Sequence, residues 1–214
     1  MAIDLWQCNS TGVYSGVDAP GQAGEGTTWL RGVQMSDREG VASFDTVFPG
    51  HYAGRTNHIH VMATRDPRVL DASQQYEGGV PTHIGQFYFD ERLIELVEAV
   101  QPYAGNDKPR VRNDRDGIAV AAATDENDIF MDYVLLGDGV GYGILAWITV
   151  GVDMRADQSD SLAVAATATP ALSTSGSPGS GSSSSTQGST IVTTTPTGGA
   201  LRAVATPFLL GWRL

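Results

Sequence analysis

The sequence predicts an all-β fold, a β-sandwich with one short helix and a disordered C-terminal tail. Between residues 2 and 152, short segments of alternating apolar and polar residues are separated by turn signals rich in Gly, Pro, Asn and Asp. One further segment has apolar residues at helical spacing. Beyond residue 160 the composition changes, and 22 of the 27 residues in 173–199 are Ser, Thr or Gly. We therefore expect a sandwich domain over residues 1–160 and a low-complexity tail over 161–214.

The alternating segments define seven expected strands. They lie at residues 2–8, 30–35, 41–48, 58–64, 83–89, 129–136 and 144–152. The connecting segments are rich in Gly, Pro or charged residues and are expected to be loops and turns. They include 9–26, 36–40, 49–57, 65–80 and 106–116. Many short strands with few helices are typical of a sandwich or a barrel-like domain.

The one expected helix starts at Asp90, whose side chain can cap the helix, with Glu91 in the first turn. Apolar residues then recur at helical spacing up to Val100, which favours packing on the core.

Composition limits the classes of function. The chain has 214 residues, 41% of them hydrophobic, which suits one globular domain with its own core. A net charge of −11 makes nucleic acid an improbable partner, because phosphate binding needs a basic surface. The sequence contains no run of about 18 apolar residues, so we expect no transmembrane segment. The apolar end at 200–214 has the outline of a lipid-anchor signal, but Arg202 and Arg213 interrupt it, and a frayed terminus is the alternative.

The most informative stretch is 50–60, which contains Tyr52, Arg55, His58 and His60. Side chains two apart on a strand project from the same face, so the two imidazoles point at one spot. This pattern indicates part of a metal site. The alternative is a surface loop that leads into a strand with two solvated histidines, because His-x-His pairs are common.

Four segments together resemble the intradiol ring-cleavage dioxygenases, and most closely the secreted fungal branch of that family. They are residues 3–16, which contain Tyr14; residues 30–50; the turn with Tyr52, Arg55, His58 and His60; and residues 85–90, which contain Gln86. The resemblance covers roughly residues 1–152. It implies that Tyr14, Tyr52, His58 and His60 bind one non-haem Fe(III), to which phenolate oxygen and imidazole nitrogen are suited.

The resemblance also implies the reaction and its participants. The substrates would be a small aromatic diol of the catechol type and O2, and the ring would be cleaved between the two hydroxylated carbons. Tyr52 would act as both ligand and base, Arg55 would stabilise the anionic ring, and Gln86 would hydrogen-bond near the same place. From the residues alone, Tyr14 is better explained as a loop residue over the core. Tyr52 could be a turn aromatic packed on Phe48, Arg55 the partner of a surface acid, and Gln86 a residue at the edge of the sandwich.

Two features depart from the family pattern. Family members carry further sequence before the first strand, and the fungal branch has a signal peptide that this sequence lacks. Cys8, the one cysteine, has no partner here and is expected to be buried or an orphaned disulfide half. The resemblance implies secretion, and neither the oligomeric state nor the particular catechol follows from the sequence.

Two other classes of function stay open. The sandwich could be an inactive binding module associated with a cell wall, or a zinc or cupin-like hydrolase that uses His58 and His60. His83 has no partner at ligand spacing, and His51 neighbours Tyr52. Both are expected to be non-ligands, with a place around the ligands left open.

Overall fold

Two four-stranded sheets form the body of the fold in the computed structural model, which describes residues 1–70, 75–162 and 204–212. In chain order the strands are β1 (Ala2–Trp6), β2 (Arg31–Met35), β3 (Ala42–Thr46), β4 (His58–Arg65), β5 (Arg68–Leu70), β6 (Gln75–Glu77), β7 (Val80–Tyr88), β8 (Asp132–Leu135), β9 (Ile144–Val152) and β10 (Val204–Trp212). The α-helices are α1 (Glu91–Glu98) and α2 (Gly117–Ala122).

The first sheet has the strand order β2-β1-β4-β7, and each neighbouring pair is antiparallel. The second has the order β3-β10-β9-β8, in which β10 is parallel to β3 and antiparallel to β9. Strands β5 and β6 form a separate two-stranded hairpin. The all-β sandwich predicted from the sequence is confirmed.

The core lies between the two sheets, and α1 packs against it. Alternate residues of the strands face inward, as the period of two requires. Ile59 and Val61 of β4 meet Ile144 and Ala146 of β9 in one buried cluster, and the side chain of each is 1% exposed or less. Helix α1 adds Leu93, Ile94 and Val97 to the same cluster. The alternation leaves His58 and His60 on the opposite, outer face of the first sheet.

The predicted helix is confirmed at its start and is two residues shorter at its end. The Asp90 carboxylate accepts a hydrogen bond from the backbone N–H of Leu93 at 2.6 Å and so caps α1. Helix α2 was not expected, because its six residues are too few to display an apolar stripe. Asp116 caps it, accepting hydrogen bonds from the N–H groups of Ile118 and Ala119.

The predicted strands all occur, with ends that differ by a few residues. The expectation of a loop over residues 65–80 is wrong in part, because β5 and β6 form a hairpin there. Its short strands carry charged residues and lack a clear alternation, so they leave little signal. The low-complexity segment 173–199 lies outside the described residues. Residues 204–212, interpreted above as a frayed or anchoring end, pair with β3 and β9. Within the described parts of the chain, none of the helices could span a membrane.

Candidate metal centre

The candidate site lies on the outer face of the first sheet, where β1, β4 and β7 run side by side. In the register of the sheet, Trp6 lies opposite His60, and His60 lies opposite Gln86. Two residues away along the same strands, His58 lies opposite Tyr88. Directly opposed side chains on one face of a sheet come within contact distance, so these five side chains form one continuous surface.

The loop between β1 and β2 brings Tyr14 over this surface. The Asn9 side-chain oxygen accepts hydrogen bonds from the backbone N–H groups of Thr11 at 3.0 Å and Val13 at 2.9 Å, which tightens the start of the loop. Gly12 has a φ of +72°, and a Cβ there would lie 2.1 Å from the carbonyl oxygen of His51. Only glycine allows this approach, which docks the Tyr14 loop on the turn that carries Tyr52.

The four predicted ligand residues lie together. The Tyr14 Oη is 3.1 Å from His60 Nε2 and 3.5 Å from His58 Nε2. The ring of Tyr52 lies 5.6 Å from that of Tyr14 and 5.5 Å from that of His58, between centroids. The centroids of His58 and His60 are 4.9 Å apart. Tyr14, whose position was the least certain from the residues alone, is therefore in contact with both imidazoles.

The hydrogen bonds of His58 show which of its nitrogens is available. Nδ1 lies 2.7 Å from the carbonyl oxygen of Thr56, which can only accept, so we assign the proton to Nδ1. The unprotonated Nε2 then faces Tyr14. Burial, together with the positive charge of Arg55, lowers the pKa of His58 to about 3. The ring is thus held neutral, the form in which an imidazole binds a metal.

The two phenols are neutral in the absence of a cation. Burial raises the pKa of Tyr14 well above its usual value, and the neighbouring Cys8 and Tyr52 act in the same direction. Burial also raises the pKa of Tyr52, although the adjacent Arg55 opposes the shift. Buried oxygens that are costly to ionise alone favour a cation in their midst, because a bound ion reverses this balance.

The spacings among Tyr14, His58 and His60 fit an ion held by these side chains, with the Tyr52 ring beside them. Donor atoms at about 2.1 Å from one ion, separated by about 90 to 120°, lie about 3.0 to 3.6 Å apart. The two oxygen-to-nitrogen distances at Tyr14 fall in that range. Within the described residues, no three His, Cys, Asp or Glu side chains form a metal-binding group. An ion here would therefore depend on the phenols, and oxygen with imidazole ligands suits iron better than a soft metal.

Arg55 is the centre of a hydrogen-bonded network beside the four rings. Its Nη1 donates to Tyr52 Oη at 3.1 Å. Its Nη2 donates to Gln86 Oε1 at 2.6 Å and to Tyr88 Oη at 3.1 Å. Its Nε donates to the Asp116 carboxylate at 2.7 Å. The sequence alternative of a surface acid as partner is wrong, because the Asp116 side chain is fully buried.

Both carboxylate oxygens of Asp116 accept hydrogen bonds. Its carboxylate accepts hydrogen bonds from Arg55, from the N–H of Thr56 and from the first turn of α2. Burial acts to raise the pKa of Asp116, but these hydrogen bonds outweigh it and lower the pKa below the usual value. A charged Asp116 therefore fixes both the direction of Arg55 and the start of the His58 strand.

Sequence reasoning did not single out Asp116, Tyr88 or Trp6. Asp116 lies 61 residues from Arg55 in the chain, and no local pattern connects the two. Tyr88 is two residues from Gln86 on the same strand, so the period of two could have placed both on one face. Trp6 required the register of β1 against β4, which the sequence does not give.

The remaining candidates, His51, His83 and Cys8, do not form part of the group of four rings. His51 is buried and bonds through Nδ1 to the Glu98 carboxylate and through Nε2 to the Lys108 carbonyl, both at 2.8 Å. His83 lies on β7 opposite Ala63. Cys8 is buried and forms no disulfide, and burial raises the pKa of its thiol to about 12.

Two dioxygenases of known structure are among the proteins to which this chain is similar. The chain is similar to an intradiol ring-cleavage dioxygenase from Tetranychus urticae, with 26% identity and a TM-score of 0.48 over 64% of this chain and 65% of that one. It is also similar to a crystal structure of a dioxygenase, with 28% identity and a TM-score of 0.49 over 62% of each chain. The chain thus spans less than two thirds of the length of either. No protein-family model and no curated protein matches it.

Proposed function

We propose that this chain is a non-haem Fe(III) intradiol dioxygenase, which cleaves a catechol-type ring between its two hydroxylated carbons with O2. The observation that carries the proposal is the convergence of Tyr14 Oη on the Nε2 atoms of both His58 and His60, with Tyr52 alongside. The resemblance of the sequence to the intradiol family accounts for the same four residues. Ferric iron, when bound, would act as a Lewis acid that withdraws electrons from the diol ring.

Access for a small substrate is consistent with the burial of these residues. His58 is 1% exposed, whereas Tyr14, Tyr52 and His60 are each only partly buried. The phenols and His60 therefore keep some exposure, whereas His58 has almost none. We infer that a planar diol would approach from the side of the phenols, next to Tyr52.

Tyr52 is the residue that we assign to proton transfer. Its oxygen accepts a hydrogen bond from Arg55, which favours the phenolate form of a group that burial otherwise keeps neutral. A phenolate poised beside an incoming diol can accept the proton of one hydroxyl. Tyr52 would then serve first as a ligand and afterwards as a base.

Arg55 and Gln86 would orient and stabilise the ring as negative charge develops. The guanidinium is held by the buried Asp116 carboxylate and by the Gln86 carbonyl, so it needs no rearrangement at the moment of reaction. Its permanent charge beside Tyr52 is placed to attract a diol that has lost its protons. Gln86 directs its amide nitrogen toward His60 at 3.4 Å and keeps its oxygen for Arg55 and Tyr88.

The proposal is tested by loading the purified chain with ferric iron and supplying catechols and O2. We expect one iron per chain, a broad visible absorption from iron–phenolate contact, oxygen uptake and a dicarboxylic acid product identified by mass. A colourless chain that takes up no iron contradicts the proposal. Preferential uptake of zinc would favour the hydrolase alternative.

A matched pair of variants tests the assignment of Tyr52. Tyr52→Phe should reduce ring cleavage about 100-fold or more, the scale of a lost general base, while the fold persists. Tyr142→Phe alters a tyrosine that is 71% exposed, outside the site, and should leave turnover unchanged. Equal turnover in the two variants would show that Tyr52 does not have the proposed role.

A further inference from the structure

The two imidazoles of the candidate centre are held in place by different means. His58 has a short hydrogen bond from Nδ1 to the Thr56 carbonyl at 2.7 Å, which fixes its plane. Metal-bound histidines usually have such a bond on the second nitrogen. His60 Nδ1 faces the Gln86 amide nitrogen at 3.4 Å, beyond the usual hydrogen-bond distance. The Gln86 oxygen, which would be the better partner, already accepts from Arg55 and Tyr88.

His60 is instead in contact with an aromatic ring. The indole of Trp6 is stacked on its imidazole with a centroid distance of 5.0 Å and an angle of 6° between the planes. The contact arises from the sheet, because Trp6 lies directly opposite His60 in the β1–β4 register. Rotation of the imidazole about its Cβ–Cγ bond would drive one ring edge into the indole, so stacking restricts the direction of Nε2.

The opposite side of Trp6 is covered as well. Arg31 lies directly across from it on β2, and the guanidinium carbon is 5.2 Å from the indole centroid. Arg31 is in turn held by an ion pair with Asp4, which is 2% exposed. A cation over an indole face is a favourable contact. Arg31, Trp6 and His60 therefore form a row across three neighbouring strands, anchored at its outer end by Asp4.

Trp6 lies in contact with both of these neighbours. Its side chain is 3% exposed, and among the described residues none accepts a hydrogen bond from the indole N–H. A ring without such a bond is oriented by the surfaces above and below it. His60, stacked on this ring, presents Nε2 to Tyr14 at 3.1 Å.

We propose that Trp6 is a positioning residue of the metal centre, which aims His60 at the shared ion by stacking while a backbone carbonyl aims His58. The inference rests on the proposed function for the identity of the ion. In this proposal Trp6 does not contact the substrate. Its consequence is that the affinity for ferric iron depends on an aromatic ring at position 6, and not only on the four ligands.

Three variants separate positioning from packing. Trp6→Leu removes the stack and retains bulk, and Trp6→Phe retains a ring that can stack. Trp147→Leu makes the same change on β9 in the other sheet, at a residue that is partly buried. Ferric iron affinity is measured by competition with nitrilotriacetate. The unfolding midpoint of each metal-free variant is recorded alongside.

We expect Trp6→Leu to raise the dissociation constant for ferric iron about 10-fold, as the loss of one aromatic pair would do. Trp6→Phe should recover most of that loss, and Trp147→Leu should bind as the wild type does. Equal affinity in Trp6→Leu and Trp147→Leu would overturn the inference. Failure of Trp6→Phe to bind better than Trp6→Leu would overturn it too.

A measurement without metal keeps this inference distinct from the proposed function. In the metal-free protein, the indole should shift the His60 ring protons upfield in the NMR spectrum, and Trp6→Leu should abolish the shift. Absence of the shift in the wild type would show that the rings do not stack in solution. If the wild type binds iron but cleaves no catechol, the proposed reaction fails, while the affinity comparison still decides the role of Trp6.

Discussion

The buried carboxylate of Asp116 offers the sharpest test of how the Arg55 network is held. One carboxylate oxygen accepts from Arg55 Nε at 2.7 Å and from the N–H of Thr56 at 2.9 Å. The other accepts from the N–H groups of Ile118 at 3.0 Å and Ala119 at 3.1 Å. Both oxygens are thus fully used, and no N–H donor can be placed at either position without loss.

Asp116→Asn keeps the shape and replaces one acceptor oxygen by an NH2 group. Whichever way the amide turns, two of the four hydrogen bonds are lost. If the lost pair includes Arg55, both lost bonds end on a charged carboxylate and contribute about 1.5 to 3 kcal/mol each, so we expect a loss of at least about 3 kcal/mol in unfolding free energy. At about 2 to 4 °C per kcal/mol, the unfolding midpoint falls by about 6 to 12 °C.

The loss should also affect catalysis, because Arg55 would be released from one of its anchors. We expect ring cleavage to fall by about 10 to 100-fold, less than the loss of a transition-state donor itself, while iron content stays unchanged. Urea denaturation measures the stability, and oxygen uptake with catechol measures the rate. Asp114→Asn is the control, since Asp114 is exposed and only two residues away.

The pH dependence provides an independent check of the same contact. The pKa of Asp116 is lowered in the folded state, so its contribution to stability is present above the unfolded value of about 3.9 and is lost as the pH falls through the folded pKa. The difference between wild type and Asp116→Asn should therefore shrink below about pH 4. A variant with wild-type stability and turnover at pH 7 would refute the reasoning.

Three further outcomes are expected. In the metal-free protein, the unfolding free energy should fall by up to about 1.4 kcal/mol per pH unit below about pH 6.5, because the folded pKa of His58 is about 3 and the unfolded chain binds the proton first. Urea denaturation midpoints from pH 7 to 4 measure this fall, and a flat profile would contradict it. Tyr14→Phe should weaken ferric iron binding about 100-fold or more in chelator competition, and unchanged affinity would remove Tyr14 from the ligand set. Leu93→Ala should cost about 2 to 5 kcal/mol in urea denaturation, because Leu93 is 0% exposed, whereas Leu96→Ala, at a residue 43% exposed, should cost about 0.5 kcal/mol or less.

Much of the fold could be predicted because its signals are local. The alternation of residues in 144–152 and the cap at Asp90 each lie within one short segment, and β9 and α1 begin where those signals indicate. The hairpin of β5 and β6 and the short helix α2 were missed, because three- to six-residue elements are too short for periodicity to appear. The pairing of β10 with β3 and β9 is not local at all.

The candidate site divides in the same way. His58 and His60 share a face through the period of two, so the sequence alone places them together. Tyr14 was connected with them only through the family resemblance, since 44 residues separate it from His58. Their roles as ligands, and those of Tyr52, Arg55 and Gln86 in catalysis, stay predictions that the experiments above address.

The sequence by itself determined the class of fold, the helix cap and the pair of imidazoles on one strand face, because each depends on neighbours within a few residues. Only the tertiary structure decided that Asp116 would hold Arg55 and that Trp6 would stack on His60. Those contacts depend on strand register and on a loop that returns after about 60 residues. Register is fixed by the burial of a whole sheet face, a cooperative property that no single segment encodes.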